Sequence, residues 1–133
     1  MAISSIKTFL IDDSEIDLFI QKRFLELFQF SNELQTFSSA TDALTVLLKE
    51  ENVNNPLLIL LDLNMPELDG FGFLEKLNTL PADKLNNIQV VVLTSSNSQA
   101  DFEKAFLFNN VIHFITKPLK QEDLQSIKER LRQ

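Results

Sequence analysis

Four polar clusters, each placed just after an apolar run, hold the side chains with the most chemistry to offer. Asp12 and Asp13 follow Thr8–Ile11. Asp62 follows Leu57–Leu61, with Asn64, Met65 and Pro66 behind it. Thr94, Ser95 and Ser96 follow Gln89–Leu93, and Lys117 and Pro118 follow Val111–Ile115. If these clusters meet, three carboxylates repel one another and at least one pKa rises. A hard divalent cation removes that penalty, and Mg²⁺ favours one or two carboxylates with waters and phosphate oxygens. Acids, a hydroxyl and an ammonium together suit phosphoryl transfer. A carboxylate can attack phosphorus and become an acyl phosphate. Metal and lysine neutralise the transferring oxygens, and a Thr hydroxyl donates a hydrogen bond to one of them.

The elements that must bring the clusters together are written in the hydrophobic pattern. Short apolar runs alternate with segments of helical spacing. Ile16, Ile20, Phe24 and Phe28 recur every four residues, on one helix face. Leu124, Ile127 and Leu131 do the same near the end, with Ala43–Leu47–Leu48, Phe73–Leu74–Leu77 and Phe102–Ala105–Phe106 between. Leu34–Phe37 has polar residues interleaved and suits an edge strand, whereas Leu57–Leu61 and Val90–Leu93 are apolar on both faces. Strand and helix thus alternate five times, which predicts a parallel sheet covered on both faces. The expected fold is α/β, a flavodoxin-like (βα)5 three-layer sandwich of strand order 2-1-3-4-5. In such sheets ligands bind beyond the carboxyl ends of the strands, where all four clusters fall. Residues 1–133 make one domain, and the polar stretch Glu50–Asn55 is a loop.

Composition narrows the function. The chain has 133 residues, no Cys and one His, so thiolate and His-rich metal sites are excluded. Nothing in Met1–Lys7 resembles a signal peptide, and the longest apolar runs are strand-sized, so a soluble cytoplasmic protein is expected. Twelve basic and 19 acidic side chains leave a net charge of −7, which disfavours direct nucleic-acid binding. Of the late basic residues, Lys128, Arg130 and Arg132 suit a helix C-terminus.

With these residues in view, the chain resembles response-regulator receiver domains over its entire length. The strings that carry the resemblance are Ile11-Asp12-Asp13, Leu61-Asp62-Leu63-Asn64-Met65-Pro66, Asp69-Gly70, Val92-Leu93-Thr94-Ser95 and Phe114-Ile115-Thr116-Lys117-Pro118. One alone is weak; five in order, each at a strand end, are specific. The resemblance implies that Asp62 is the phosphoacceptor and that Asp13 binds Mg²⁺ directly, with Asp12 acting through a metal-bound water. The backbone carbonyl of Asn64 would be a further ligand. Lys117 would pair with Asp62 and then with the phosphoryl group, oriented by a cis bond to Pro118. Thr94 and Phe114 match the switch pair, and Asn64 and Ser96 flank the path of hydrolytic water. The implied donor is a histidine kinase or a histidine phosphotransfer protein. The implied output of this stand-alone switch is protein contact, with a downstream target or a second copy, through the helix after Thr94, the last strand and the last helix.

Two rivals fit less well. A Mg²⁺-dependent phosphohydrolase would carry Asp-x-Asp after its first strand, where this chain has Asp12-Asp13-Ser14. A pseudo-receiver would have lost an acid or the lysine. Blander roles also compete at single positions: Asp62 as a turn residue, Phe114 as core, His113 as an exposed edge-strand residue. The helix N-cap is assigned to Ser14, leaving Asp12 and Asp13 for metal. Glycine is scarce, at Gly70 and Gly72, and Asn109 or Asn110 is expected to take a left-handed turn before the last strand. Phe102 and Phe106 should be buried with Ala105; Leu107 and Phe108, if exposed, would form a docking surface.

Overall fold

The computed structural model describes residues 6–49, 55–65 and 68–131. Most of the predicted polar loop, together with Pro66 and Arg132, lies outside them. Five parallel strands form one sheet in the order β2-β1-β3-β4-β5: β1 Lys7–Ile11, β2 Leu34–Phe37, β3 Leu57–Leu61, β4 Ile88–Thr94 and β5 Val111–Thr116. This is the expected fold class. β1 and β3 run in register from Lys7↔Leu57 to Ile11↔Leu61, so their exits to Asp12 and Asp62 lie side by side. β4 is buried along its whole length, and β2 keeps the mixed burial of an edge.

Helices cover both faces. α1 (Glu15–Leu27) and α6 (Gln121–Arg130) close one core, built on Leu10, Leu25, Leu58, Leu60, Leu93 and Ile127. α2 (Ala40–Lys49), α3 (Gly70–Leu77) and α5 (Gln99–Ala105) close the other over Phe9, Ile59, Leu61, Val90 and Val92. Each fully buried side chain of this kind is worth about 1.5–3 kcal/mol. Five simple βα repeats omit one element, the single-turn α4 (Ala82–Leu85), which is pinned by Lys84 Nζ donating to the Leu47 carbonyl at 2.6 Å.

Packing departs from the hydrophobic pattern on α1 and α5. The stripe of Ile16 and Ile20 faces solvent, at 73% and 59% exposed, while Gln21 and Leu25 are buried. α1 carries two apolar stripes, and the one bearing Leu18 and Leu25 won the core. On α5 only Ala105 is buried; Phe102 and Phe106 are 43% and 39% exposed and stack on each other at 4.9 Å. Leu107 is exposed, but Phe108 packs partly buried against the second core, so it is no free docking residue. Among the described residues the positive φ outside glycine is Gln29, at 50°, so neither Asn109 nor Asn110 is left-handed. The turn closes instead through Val111 N donating to the Phe108 carbonyl, and Asn110 is buried.

Candidate functional site

Backbone hydrogen bonds between neighbouring strand exits draw the clusters to one rim. Asp12 N donates to the Phe37 carbonyl, Asp62 N to that of Ile11, and Lys117 N to that of Thr94 at 2.7 Å. Ser14 caps α1 by accepting from Asp17 N, as assigned, which leaves Asp12 and Asp13 outside the helix. One carboxylate oxygen each of Asp12, Asp13 and Asp62 lie within 4.8 Å of one another. Asp12, Asp62 and Thr94 are buried there, and Asp13 and Asn64 are exposed.

Each buried group is held. Asp12 Oδ1 accepts from Ser14 N, and its Oδ2 from Lys117 Nζ at 2.6 Å and Gln21 Nε2 at 3.5 Å. Asp62 Oδ1 accepts from Asn64 N at 3.3 Å. Thr94 Oγ1 accepts from Asn64 Nδ2 and Ser96 N. Ser96 Oγ donates to Asp101 Oδ2 at 2.6 Å. Phe114 is half-buried, against the second core on one side and 5.4 Å from the Phe102 ring on the other. The Lys117–Pro118 peptide is cis.

Lys117 faces Asp62 as an ion pair but holds two other acids more closely. Its ammonium lies 3.7 Å from Asp62 Oδ2, an ion pair beyond hydrogen-bond length, and bonds Asp12 and Asp17 at 2.6 and 2.8 Å. Asp17 and Gln21 were not among the sequence candidates. Asp17 reads there as an ordinary first-turn acid. Gln21 had a weak signal, being polar at a position that shares a face with Leu18 and Leu25. His113 is half-buried on β5 rather than exposed; burial, then the charge of Arg130, lowers its pKa against the pull of Asp123.

Burial, then the charge of Asp12, pushes the Asp62 carboxyl above the ordinary aspartate range, against Lys117, Asn64 N and Thr94. A raised folded pKa means the fold favours the neutral acid. That stability is present below the unfolded value of 3.8 and is lost as pH rises through the folded value. Asp62→Asn, a neutral isostere, is therefore expected to raise the melting temperature in metal-free buffer at pH 7. The gain should fade as pH approaches 4, near the ordinary value of about 3.9. A gain equal at both pH values would put its cause elsewhere.

The donor set is all oxygen, and three converging carboxylates leave a negative pocket, so these residues fit a hard divalent cation such as Mg²⁺. Among the described residues no helix is long and apolar enough to cross a membrane.

A model of the response regulator receiver domain matches residues 8–129. The chain is similar to the probable methanogenesis regulatory protein FilR2 of Methanothrix harundinacea, at 30% identity over 93% of this chain and 79% of that one. It is 32% identical to response regulator Rcp1 of Synechocystis over 86% of this chain and 78% of the relative. A response regulator receiver protein from Dyadobacter fermentans superposes with a TM-score of 0.85 at 30% identity, covering 95% and 97% of the two chains.

Proposed function

The chain belongs to the response regulator receiver domain family, and from that premise we propose that it is switched by phosphorylation of Asp62. The observation that carries this reading is the buried Asp62 carboxylate, grouped with Asp12 and Asp13 and faced by the Lys117 ammonium. The donor is a phosphohistidine on a kinase or phosphotransfer protein. An Asp62 oxygen attacks phosphorus, the N–P bond breaks as the O–P bond forms, and an acyl phosphate results. Asp12, Asp13, Asp62 and the Asn64 carbonyl would hold Mg²⁺, which when bound neutralises charge on the transferring oxygens. Lys117 supplies a second positive charge, and Thr94 a hydroxyl.

The output follows from the same contacts. Thr94 Oγ1 is engaged by Asn64 and Ser96 before transfer, so turning it to a phosphoryl group rearranges both. The Phe114 ring on β5 packs against Phe102 on α5, and Phe102 against the exposed Phe106, which joins β5 to the surface of α5. Phosphorylation shifts the population of that surface toward the form that binds a protein target or a second copy. Asn64 and Ser96, at the mouth of the site, tune hydrolysis. The protein works as a cytoplasmic switch rather than as an enzyme acting on a separate substrate.

Intact-protein mass after incubation with acetyl phosphate and Mg²⁺ tests the reading. Wild type is expected to gain one phosphate, absent in Asp62→Ala and without Mg²⁺. An adduct that survives Asp62→Ala, or a wild type that takes up neither phosphate nor beryllofluoride, would overturn it.

A further inference from the structure

The acid that the receiver reading leaves without a role is Asp17. In the first turn of α1 it complements the helix dipole, an ordinary place for an acid. Its carboxylate, however, reaches Lys117 Nζ at 2.8 Å, a partner 100 residues away in the chain. An ammonium has three protons. Asp12 and Asp17 hold two of them at hydrogen-bond length, while Asp62 stands back at 3.7 Å.

The two holders differ. Asp12 is 2% exposed at its side chain and is fixed by Ser14 N and Gln21 as well. Asp17 is 39% exposed at its side chain, so water can replace the lysine there. Of the two, Asp17 is the one able to let go.

We propose that Asp17 is a positioning residue that holds the Lys117 ammonium on the α1 side of the site, so that its contact with a phosphoryl group on Asp62 forms in competition with Asp17. This rests on Asp62 as phosphoacceptor. A contact made only before phosphorylation opposes the phosphorylated state by the free energy of that contact. Asp17 thereby weakens the active state and sets its sensitivity to the donor.

Beryllofluoride binding at saturating Mg²⁺, followed by ¹⁹F NMR, measures the competition without phosphoryl turnover. Asp17→Ala is expected to bind it roughly threefold to fivefold more tightly than wild type, the range for a half-exposed ion pair. Asp17→Glu should stay near wild type. Glu15→Ala removes an equal charge from the same helix turn, but Glu15 is exposed and is not among the acids paired with Lys117. It should change binding less than Asp17→Ala. In metal-free protein the Lys117 ¹⁵Nζ resonance should move in Asp17→Ala and not in Glu15→Ala. Equal shifts in the two alanine variants would reduce Asp17 to a general charge and overturn the proposal, as would unchanged or weaker binding in Asp17→Ala. A wild type that binds no beryllofluoride would instead bring down the receiver reading beneath it.

Discussion

Replacing Lys117 with methionine is expected to lower the stability of the metal-free protein by about 3–5 kcal/mol, the range for removing one partner of a buried ion pair. Methionine keeps much of the apolar stem and removes the charge. Asp12 then loses its shortest hydrogen bond, at 2.6 Å, with its side chain 2% exposed. Asp62, at 6% side-chain exposure, loses the nearby ammonium that offsets Asp12. Burial opposes the Lys117 charge, but hydrogen bonds to Asp12 and Asp17 outweigh it and hold its pKa above the ordinary lysine value. Its contribution is therefore complete at neutral pH and is lost only as pH rises through that elevated value. The carboxylates supply the acid side of the profile. Without the lowering pull of Lys117, Asp62 favours its protonated form in the fold still more, so the stability deficit should shrink as pH falls through the carboxylate range. Urea unfolding at pH 7 and pH 4.5 reads both effects. Mg²⁺ should restore more stability to the variant than it adds to wild type, because it meets the same uncompensated acids. A deficit under about 1 kcal/mol would match an exposed pair and mean that the acids do not depend on this ammonium.

The parts legible in the sequence are those with local causes. β3 and β4 are apolar runs because both faces of a central parallel strand are covered, and Asp12, Asp62, Thr94 and Lys117 follow directly from where such runs end. The parts that were not legible depend on contacts distant in sequence. Period-four spacing of Ile16 and Ile20 identifies a helix, but α1 has a second stripe, and spacing alone does not choose between them. In the fold, Asp17 meets Lys117 and Gln21 meets Asp12 while Leu18 and Leu25 join the core, which leaves Ile16 and Ile20 outside. Asp17 carries no local mark of that role. The Phe residues of α5 fail for a different reason. A seven-residue helix beside an edge strand buries little beyond Ala105, so Phe102 and Phe106 stay partly exposed, with the Phe102 ring tilted against both Phe106 and the half-buried Phe114.

Gly70 and Gly72 stand two residues apart on one helix, yet substitution by alanine should separate them sharply. A Cβ on Gly70 would lie 2.6 Å from Leu63 Cα and 2.7 Å from the Asp62 carbonyl oxygen, both backbone atoms of the segment that carries Asp62. Gly70 N also donates to the Leu63 carbonyl at 3.0 Å, so α3 and that segment are tied at the point of closest approach. Neither side can yield by a rotamer change; the helix start or the Asp62 loop must move. On Gly72 the Cβ would meet the Cδ1 tip of Leu68 at 2.6 Å, a side-chain end free to turn aside, and Asp69 Oδ1 at an ordinary 3.4 Å. Gly70→Ala is therefore expected to cost about 3 kcal/mol, the upper part of the usual range for overpacking. Gly72→Ala should be nearly neutral, with helix propensity returning up to about 1 kcal/mol against the Leu68 adjustment. The functional consequence separates them again. Displacement at Gly70 is transmitted to Asp62 and Asn64, so acetyl phosphate labelling of folded Gly70→Ala should slow by more than tenfold, while Gly72→Ala labels at the wild-type rate. Urea midpoints and labelling rates for the pair decide it. If Gly70→Ala is as stable and as quickly labelled as Gly72→Ala, the close approach of α3 to the Asp62 loop is not what positions the carboxylate.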